Sequence, residues 1–331
     1  MMYRKLGHSD LEVSVLSFGA WQLGDTGYWG ADDEADAEAA VRTALDDGIN
    51  LFDTAESYGG GESERILGQA LGPRRHEALI ASKVSPNHAP PRDLRRSCEQ
   101  SLMRLGTDVI DLYQIHWPCR DVPFEDAYGE MARLREEGKI RAIGVSNFGA
   151  KDLDAWMACG TCCSNQLGYN LLFRAIELEI MPACARHGVG VLAYMPLLQG
   201  LLAGRWRSVG DVPPNRRRTR HFAGTREGAR HGESGREQLT FDALDQIRAV
   251  ADRLGRPMAN VAIAWLIANE AVSSVIVGAR NPNQVHRNAE AAGTVLDGEV
   301  IEELNAIADP LKEYFGANAD MWLPAAESRI Q

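Results

Sequence analysis

The amino-acid sequence predicts an α/β fold, a (β/α)8 TIM barrel that occupies residues 1–331 as a single domain. Three observations predict this fold: short apolar runs recur eight times, stretches with helical periodicity separate most of them, and each run ends abruptly at a polar residue or a glycine. The runs are mostly apolar rather than alternating, as is typical of parallel strands that helices cover. They end at Gly19, Asp53, Lys83, His116, Ser146, Gln166, Tyr194 and Gly278. Because a parallel barrel gathers the carboxyl ends of its strands in one mouth, we expect these end points to surround one site.

An N-terminal β-hairpin is predicted ahead of the first of these strands. Residues 3–19 alternate apolar and polar side chains on both sides of a turn signal, Gly-His-Ser-Asp, at residues 7–10. We expect this hairpin to close the floor of the barrel, at the end opposite the mouth.

Helices are predicted between the strands from apolar periodicity and from residues that favour helix ends. The first begins at Asp33, where acidic residues suit a helix N-terminus, and Gly48 follows it at a C-cap position. The predicted helices span Asp33–Asp47, Ser63–Leu71, Pro91–Leu105, Pro123–Glu137, Lys151–Ala158, Glu177–His187, Phe241–Leu254, Pro257–Asn269 and Pro282–Ala292, and one more begins near Glu299.

The alternation of strands and helices is interrupted between the seventh and eighth strands. Residues 205–239 are rich in Gly, Arg, Pro and Ser and have no apolar period, so the sequence predicts a long loop there. Two interpretations stay open, a solvated loop and a lid. The basic run at Arg216, Arg217, Arg218 and Arg220 does not indicate nucleic-acid binding, because no aromatic residues alternate with it.

Composition and charge favour a globular protein whose partners are small molecules. The formal net charge of −11 at pH 7 argues against non-specific binding to nucleic acid or to anionic membranes. No apolar stretch approaches the roughly 18 residues that cross a bilayer. Cys159 and Cys162 have a CxxC spacing, but no second pair of ligands lies nearby, so no metal site is predicted. Since no signal-like segment opens the chain, we expect a reduced, cytoplasmic location.

Four polar residues at the predicted mouth have complementary chemistry. Asp53, Lys83 and His116 end the second, third and fourth strands, and Tyr58 lies in the loop after the second. Since consecutive barrel strands are neighbours, we expect these side chains to converge. Each of them alone has an ordinary structural interpretation, such as a turn or an ion pair, but the four together favour a catalytic site.

The phenol of Tyr58 needs help to act as an acid, because a free phenol has a pKa near 10. An ammonium about 4 Å away, at an effective dielectric constant of about 20, favours the phenolate by roughly 4 kcal/mol, which would lower the pKa by about three. We therefore expect Lys83 to lower the pKa of Tyr58 and Asp53 to keep Lys83 charged. A neutral imidazole at His116 can donate a hydrogen bond to a substrate oxygen.

Motifs spread over nearly the whole chain carry a resemblance to a known family. They read FDTAESYGGGESERILGQAL from Phe52, IASK ending at Lys83, QIHWP, IGVSNF, NQLGYNLLFR, LAYMPLLQGLLAG and VGARNPNQVHRNAEA. The chain resembles the aldo-keto reductases, in particular bacterial members related to the potassium-channel β-subunit-like and sugar/polyol-oxidoreductase branches. The resemblance implies hydride transfer between a nicotinamide cofactor and an aldehyde or ketone, or the matching alcohol or sugar. It also implies that Tyr58 is the general acid/base, that Lys83 and Asp53 tune it, and that His116 positions the substrate carbonyl.

The resemblance further implies a cofactor extended across the mouth, with NADP(H) preferred and NAD(H) as the alternative. Ser146, Asn147 and Gln166 would bind the carboxamide, and Tyr194 would stack on the nicotinamide ring. The other cofactor contacts are assigned to Trp21, Asp53, Pro196, Leu197, Gly200, Leu202, Gly278, Arg280, Gln284 and Asn288.

The phosphate end of the cofactor is expected after the eighth strand. Arg280 precedes a helix that begins near Pro282, so backbone donors and a cationic fork are available to a phosphate, and Arg280 would meet the 2′-phosphate. Gln284 and Asn288 lie one turn apart and would reach the adenine. In the lid interpretation, residues 205–239 would close on the cofactor phosphates.

Aromatic side chains are expected to line the substrate pocket. Tyr28 and Trp29 follow the first strand and Trp117 follows the fourth, and Trp21 and Trp322 are further candidates. Such walls exclude water and accept apolar rings or the C–H faces of sugars.

Two alternatives to a reductase stay open at this point. The first is a cofactor-sensing binding subunit with little turnover. The second is a barrel lyase that forms a Schiff base through Lys83, which the predicted charge on that lysine disfavours.

Overall fold

The computed structural model describes residues 1–24, 26–29 and 33–331, with nothing stated of the Thr26 side chain. The chain begins with an antiparallel hairpin, β1 (Tyr3–Lys5) and β2 (Glu12–Ser14). Within the described residues, eight parallel strands then close into a barrel, which confirms the predicted fold class. These strands are β3 (Leu16–Gly19), β4 (Leu51–Asp53), β5 (Leu79–Val84), β6 (Ile110–Ile115), β7 (Ile140–Ser146), β8 (Ser164–Gly168), β9 (Gly190–Tyr194) and β10 (Val272–Gly278). Each barrel strand pairs with the next along the chain and β10 pairs with β3, so the predicted strand ends do meet at one mouth.

Helices surround the barrel and agree with the prediction at most of their ends. They are α1 (Thr26–Trp29), α2 (Glu34–Asp46), α3 (Glu62–Leu71), α4 (Pro91–Leu105), α5 (Phe124–Glu136), α6 (Ala150–Cys159), α7 (Ile180–His187), α8 (Glu237–Arg253), α9 (Met258–Ala268), α10 (Pro282–Ala291) and α11 (Gly298–Phe315). None of these helices is both long and apolar enough to span a membrane, within the residues described.

Two predicted helix starts are wrong. The helix expected from Glu177 begins at Ile180, because a proline deep inside a helix clashes with the carbonyl four residues before it, whereas Pro182 is tolerated in the first turn. The helix expected from Phe241 begins at Glu237, whose carboxylate suits a helix N-terminus and pairs with Arg226.

The hairpin closes the floor of the barrel, as predicted. Its side chains Leu6, Leu11 and Val13 are buried in one cluster with residues from the lower part of the barrel strands. Those residues are Leu51, Ala81, Leu112, Ala142, Leu192 and Ile276.

Residues 205–239 belong to the connection between β9 and β10; they are irregular as far as residue 236, and α8 begins at Glu237. The solvated-loop interpretation is wrong for residues 219–222, which are buried. Short 3-10 turns occur at Val209–Asp211 and Pro214–Arg216. His221 and Phe222 are buried, and the guanidinium of Arg220 pairs with Glu233 at 3.0 Å. The connection therefore packs on the barrel, because its scattered apolar residues reach a core that their spacing in the sequence does not reveal.

Candidate active site

Lys83 lies at the centre of the mouth, near the end of β5. Its ammonium Nζ donates hydrogen bonds to Asp53 Oδ1 at 2.7 Å, to the carbonyl oxygen of Thr54 at 2.8 Å and to Tyr58 Oη at 3.2 Å. The side chain has no exposed surface. Burial alone would lower the pKa of this ammonium, but the charge of Asp53 and the contact with Tyr58 outweigh burial and raise the pKa above its usual value. Lys83 is therefore charged, as the sequence predicts, and its ammonium donates three hydrogen bonds.

Tyr58 opens a tight turn, Tyr58–Gly61, in which Gly59, Gly60 and Gly61 all have positive φ. Such a backbone is strained for residues with a side chain, so the glycine run is what permits the turn. The predicted fall in the pKa of Tyr58 is wrong for this structure. Burial raises the pKa of the phenol above its usual value and outweighs the opposing charge of Lys83. The phenol is consequently protonated at neutral pH, which is the form that a proton donor requires.

His116 follows β6 and faces Tyr58. The two rings are in an edge-to-face arrangement, with centroids 5.7 Å apart and an interplanar angle of 77°. Burial, together with the nearby charge of Lys83, lowers the pKa of His116 to about 3. The imidazole is therefore neutral at physiological pH and has one N–H to donate, in agreement with the prediction.

The residues predicted to bind a carboxamide form a hydrogen-bonded network that reaches Asp53 and the backbone of His116. Gln166 Nε2 donates to Asp53 Oδ2 at 2.6 Å, and Ser146 Oγ donates to the carbonyl oxygen of Gln166 at 3.0 Å. Asn147 Nδ2 donates to the carbonyl oxygen of His116 at 3.1 Å, and its Oδ1 accepts from Tyr194 Oη at 2.8 Å. The structure thus brings all of these side chains to the same side of the mouth.

Asn147 has a left-handed backbone, with a φ of 61°. This conformation is uncommon for a residue other than glycine and is enriched at functional sites. The N-cap of the following helix α6 is Gly149, so Asn147 does not cap that helix. The Asn147 amide instead contacts the His116 carbonyl oxygen and Tyr194 Oη.

The residues after β10 form a compact turn. The backbone N–H of Arg280 donates to Gln284 Oε1 at 3.0 Å, and Asn288 Nδ2 donates to the carbonyl oxygen of Gly278 at 3.3 Å. In this structure Gln284 and Asn288 thus hold the turn that carries Arg280, and their predicted contact with adenine stays a prediction. Sequence reasoning missed Asn281, whose side chain caps α10 by accepting from the Gln284 N–H.

The turn after β9 contains the predicted residues Pro196, Leu197, Gly200 and Leu202. Its backbone is unusual, since Met195, Leu198 and Gln199 have positive φ although none of them is a glycine. The long connection of residues 205–239 reaches this turn, because Arg216 Nη1 donates to the carbonyl oxygen of Gln199 at 3.2 Å. From the sequence, Arg216 is predicted only as part of a basic run in a loop, and its contact with this turn is not predicted.

Aromatic rings form two walls beside Tyr58 and His116. In the first wall Trp21 stacks on Tyr28 with centroids 5.2 Å apart, and the ring of Trp21 lies 5.9 Å from that of Tyr58. Trp29 is 5.1 Å from Tyr28 and lies under the guanidinium of Arg216, 4.9 Å from it.

The second wall consists of Trp117 and Trp322, with centroids 6.4 Å apart. The guanidinium of Arg329 lies 3.8 Å from the Trp117 centroid, a contact between residues that are far apart in the chain and that no local pattern connects. All the aromatic residues proposed for the substrate pocket therefore lie around the mouth. Their contact with a substrate stays a prediction.

Comparisons with known proteins agree with this geometry. The model of the Aldo/keto reductase family matches residues 15–309. The chain is 32% identical over 324 residues to the aldo-keto reductase YhdN of Bacillus subtilis, covering 93% of this chain and 94% of that one. It is 30% identical to the NADH-specific methylglyoxal reductase of Escherichia coli, covering 93% and 98% of the two chains. A crystal structure of an aldo/keto reductase from Klebsiella pneumoniae in complex with NADP and acetate superposes with a TM-score of 0.72 at 30% identity, covering 97% of this chain and 95% of that one.

Proposed function

Since the chain belongs to the aldo/keto reductase family and is an oxidoreductase, we propose that it interconverts aldehydes or ketones with the matching alcohols, using NADP(H) in preference to NAD(H). The observation that carries the proposal is the buried Lys83, whose ammonium contacts both Asp53 and Tyr58 at the barrel mouth. A charged lysine held this way is a poor nucleophile, which disfavours the Schiff-base alternative.

Each member of the site has a role in moving one proton. Tyr58 is protonated at neutral pH and donates its proton to the substrate oxygen as that oxygen gains charge. Lys83 then stabilises the phenolate that remains, at a hydrogen-bonding distance of 3.2 Å. Asp53 keeps Lys83 charged, and the neutral His116 donates a hydrogen bond that orients the carbonyl. In the oxidative direction the Tyr58 phenolate, stabilised by Lys83, accepts the proton from the alcohol.

The residues at the mouth fit a nicotinamide cofactor. When bound, the nicotinamide supplies or accepts the hydride. Ser146, Asn147 and Gln166 offer amide and hydroxyl groups for its carboxamide, and Tyr194 offers a flat ring.

Two arginines at one residue support a cofactor that carries a 2′-phosphate. The Arg216 guanidinium lies 4.9 Å from the Trp29 ring centroid, and Arg280 Nη1 donates to the Trp29 carbonyl oxygen at 3.1 Å. Burial, together with the charges of Arg205 and Arg280, lowers the pKa of Arg216 below its usual value. An anion bound between neighbouring cations offsets their mutual repulsion. We therefore place the cofactor phosphates between Arg280 and the connection of residues 205–239, which acts as a lid.

The test is an assay of the purified protein with NADPH and NADH against methylglyoxal, 4-nitrobenzaldehyde, aldoses and polyols. We expect NADPH-dependent turnover, a loss of kcat of about 10²–10⁴-fold in Tyr58→Phe, and no loss in the matched control Tyr3→Phe. Tyr3 is a suitable control because it lies at the barrel floor, where its hydroxyl donates to the Gly48 carbonyl oxygen. Tight NADPH binding without turnover of any substrate would overturn the proposal in favour of a cofactor-sensing subunit. Borohydride trapping of substrate on Lys83 would favour a lyase.

A further inference from the structure

Glu56 lies between Asp53 and Tyr58 in the chain, yet its carboxylate faces away from the catalytic groups. Its Oε1 accepts a hydrogen bond from the backbone N–H of Ser85 at 2.7 Å and lies 2.9 Å from His88 Nδ1. The side chain is only 8% exposed. A carboxylate buried to this degree is costly unless its partners compensate it, so its placement calls for a reason.

The contacts of Glu56 connect the two segments that carry the proton donor and its cation. Lys83 stands two residues before Ser85, and Glu56 stands two residues before Tyr58. The backbone N–H of Glu56 donates to the carbonyl oxygen of Lys83 at 3.3 Å, while the Glu56 side chain accepts from the Ser85 N–H. Glu56 therefore fastens the loop that carries Tyr58 to the end of β5 at two adjacent points.

The other side of Tyr58 offers little restraint. Gly59, Gly60 and Gly61 follow directly, and glycine restricts backbone conformation less than any other residue. Lys83, Trp21 and His116 surround the ring of Tyr58, and the contacts of Glu56 add a restraint on the backbone just before it.

We propose that Glu56 is a positioning residue that sets the contact between Lys83 Nζ and Tyr58 Oη. The proposal rests on the proposed function, in which Tyr58 is the proton donor. It is supported by the ionisation of Glu56: burial raises the pKa of the carboxyl, but the hydrogen bonds from Ser85, His88 and Ser97 outweigh burial and bring the pKa below its usual value. The acceptor is thus present throughout the neutral range.

The competing explanation is that Glu56 only stabilises the loop between β5 and α4. The variant Glu56→Leu removes the acceptor and keeps the bulk, whereas Glu56→Gln keeps an oxygen that can accept from Ser85. We expect kcat to fall by about 10- to 100-fold in Glu56→Leu, with the Kd for NADPH unchanged, and Glu56→Gln to restore most of it. Glu62→Leu on α3, whose exposed carboxylate pairs with Arg65, is the matched control and should leave kcat unchanged.

A double-mutant cycle identifies the route of the effect. If Glu56 acts through Tyr58, Glu56→Leu should cause no further loss of kcat in the Tyr58→Phe background. A full additional loss in that background would overturn the proposal, and so would an unchanged kcat in a folded Glu56→Leu protein.

Two further measurements cover the cases in which the first variant or the assay fails. If Glu56→Leu does not fold, Ser85→Pro removes the N–H donor at a residue whose φ of −69° already suits proline, and it should reduce kcat in the same way. If the wild-type protein shows no turnover, the proposed function fails, but titration of Tyr58 by NMR still tests Glu56. The pKa of Tyr58 should be higher in Glu56→Leu than in the wild type, because the phenol moves away from Lys83. An unchanged pKa of Tyr58 would refute the positioning role.

Discussion

The floor and the mouth of the barrel are built from the same strands, yet their interiors differ completely. On the floor, Leu51, Ala81 and Leu112 are buried in an apolar cluster. Two residues further along the same strands stand Asp53, Lys83 and Gln114. Because side chains alternate between the two faces of a strand, a step of two residues keeps the side chain inside the barrel and moves it toward the mouth. The barrel can therefore combine a stabilising apolar layer with a reactive polar layer without any change of fold.

The polar layer differs from the apolar one in how its stability depends on partners. Asp53 is 3% exposed and shares its oxygens between Lys83 and Gln166, so each buried charge is compensated by a neighbour. The apolar layer is stabilised by burial of apolar surface alone, and the hairpin side chains bury it from below.

The largest effect is expected where the polar layer loses its cation, in Lys83→Met. We expect kcat to fall by about 10²–10⁴-fold because Tyr58 loses the group that stabilises its phenolate. The free energy of unfolding should also fall, by about 3–5 kcal/mol, because the buried Asp53 is left without a counter-ion. Steady-state assays and urea denaturation measure the two effects. Loss of activity with no loss of stability would contradict the view that both depend on the same ion pair.

The complementary change on the floor is Leu112→Ala. Leu112 has no exposed surface, so its truncation should lower the free energy of unfolding by about 2–5 kcal/mol. The kcat of the molecules that remain folded should stay near the wild-type value, since the reactive groups stand one layer above. A large fall in kcat at a temperature well below the transition would show that the two layers are not independent.

A smaller effect is expected from pH, through His116. The folded protein holds the pKa of His116 at about 3, whereas an unfolded histidine titrates near 6.5, so the unfolded chain binds more protons between these values. The contribution of His116 to stability is therefore complete above about pH 6.5 and declines as the pH falls toward 3. Between pH 7 and 5 the wild type should lose about 2 kcal/mol more than His116→Gln. Equal losses in the two proteins, measured by denaturation at both pH values, would show that His116 is not neutral in the fold.

The smallest effect is expected for Gln114→Met, and here the sign of the change in stability is informative. Gln114 has no exposed surface, and within the described part of the chain its amide nitrogen and oxygen make no hydrogen bond. Replacing an unsatisfied buried amide by a side chain of similar shape should stabilise the fold by about 1 kcal/mol. Gln166→Met is the matched contrast and should destabilise it, because Gln166 donates to Asp53. A lower Tm in Gln114→Met would instead indicate that buried water satisfies this amide.

Much of the site could be predicted because strand ends are visible in the sequence. An apolar run that stops at Asp53 or Lys83 marks both the edge of the barrel and a polar group placed there. The convergence of these groups then follows from the order of the strands, which the structure confirms.

Contacts between distant segments could not be predicted. Arg216 on Trp29 and Arg329 on Trp117 join residues that no local pattern connects. The packing of Phe222 and the start of α8 at Glu237 were missed for the same reason, since both depend on what the connection after β9 contacts.

The order of strands, the apolar floor and the identity of the groups at the mouth follow from the sequence itself, because periodicity and chemical type are local properties. The direction in which the pKa of Tyr58 shifts follows only from the tertiary structure. It is the difference between the cost of burial and the attraction of Lys83, and both depend on how closely the surrounding elements pack around the phenol.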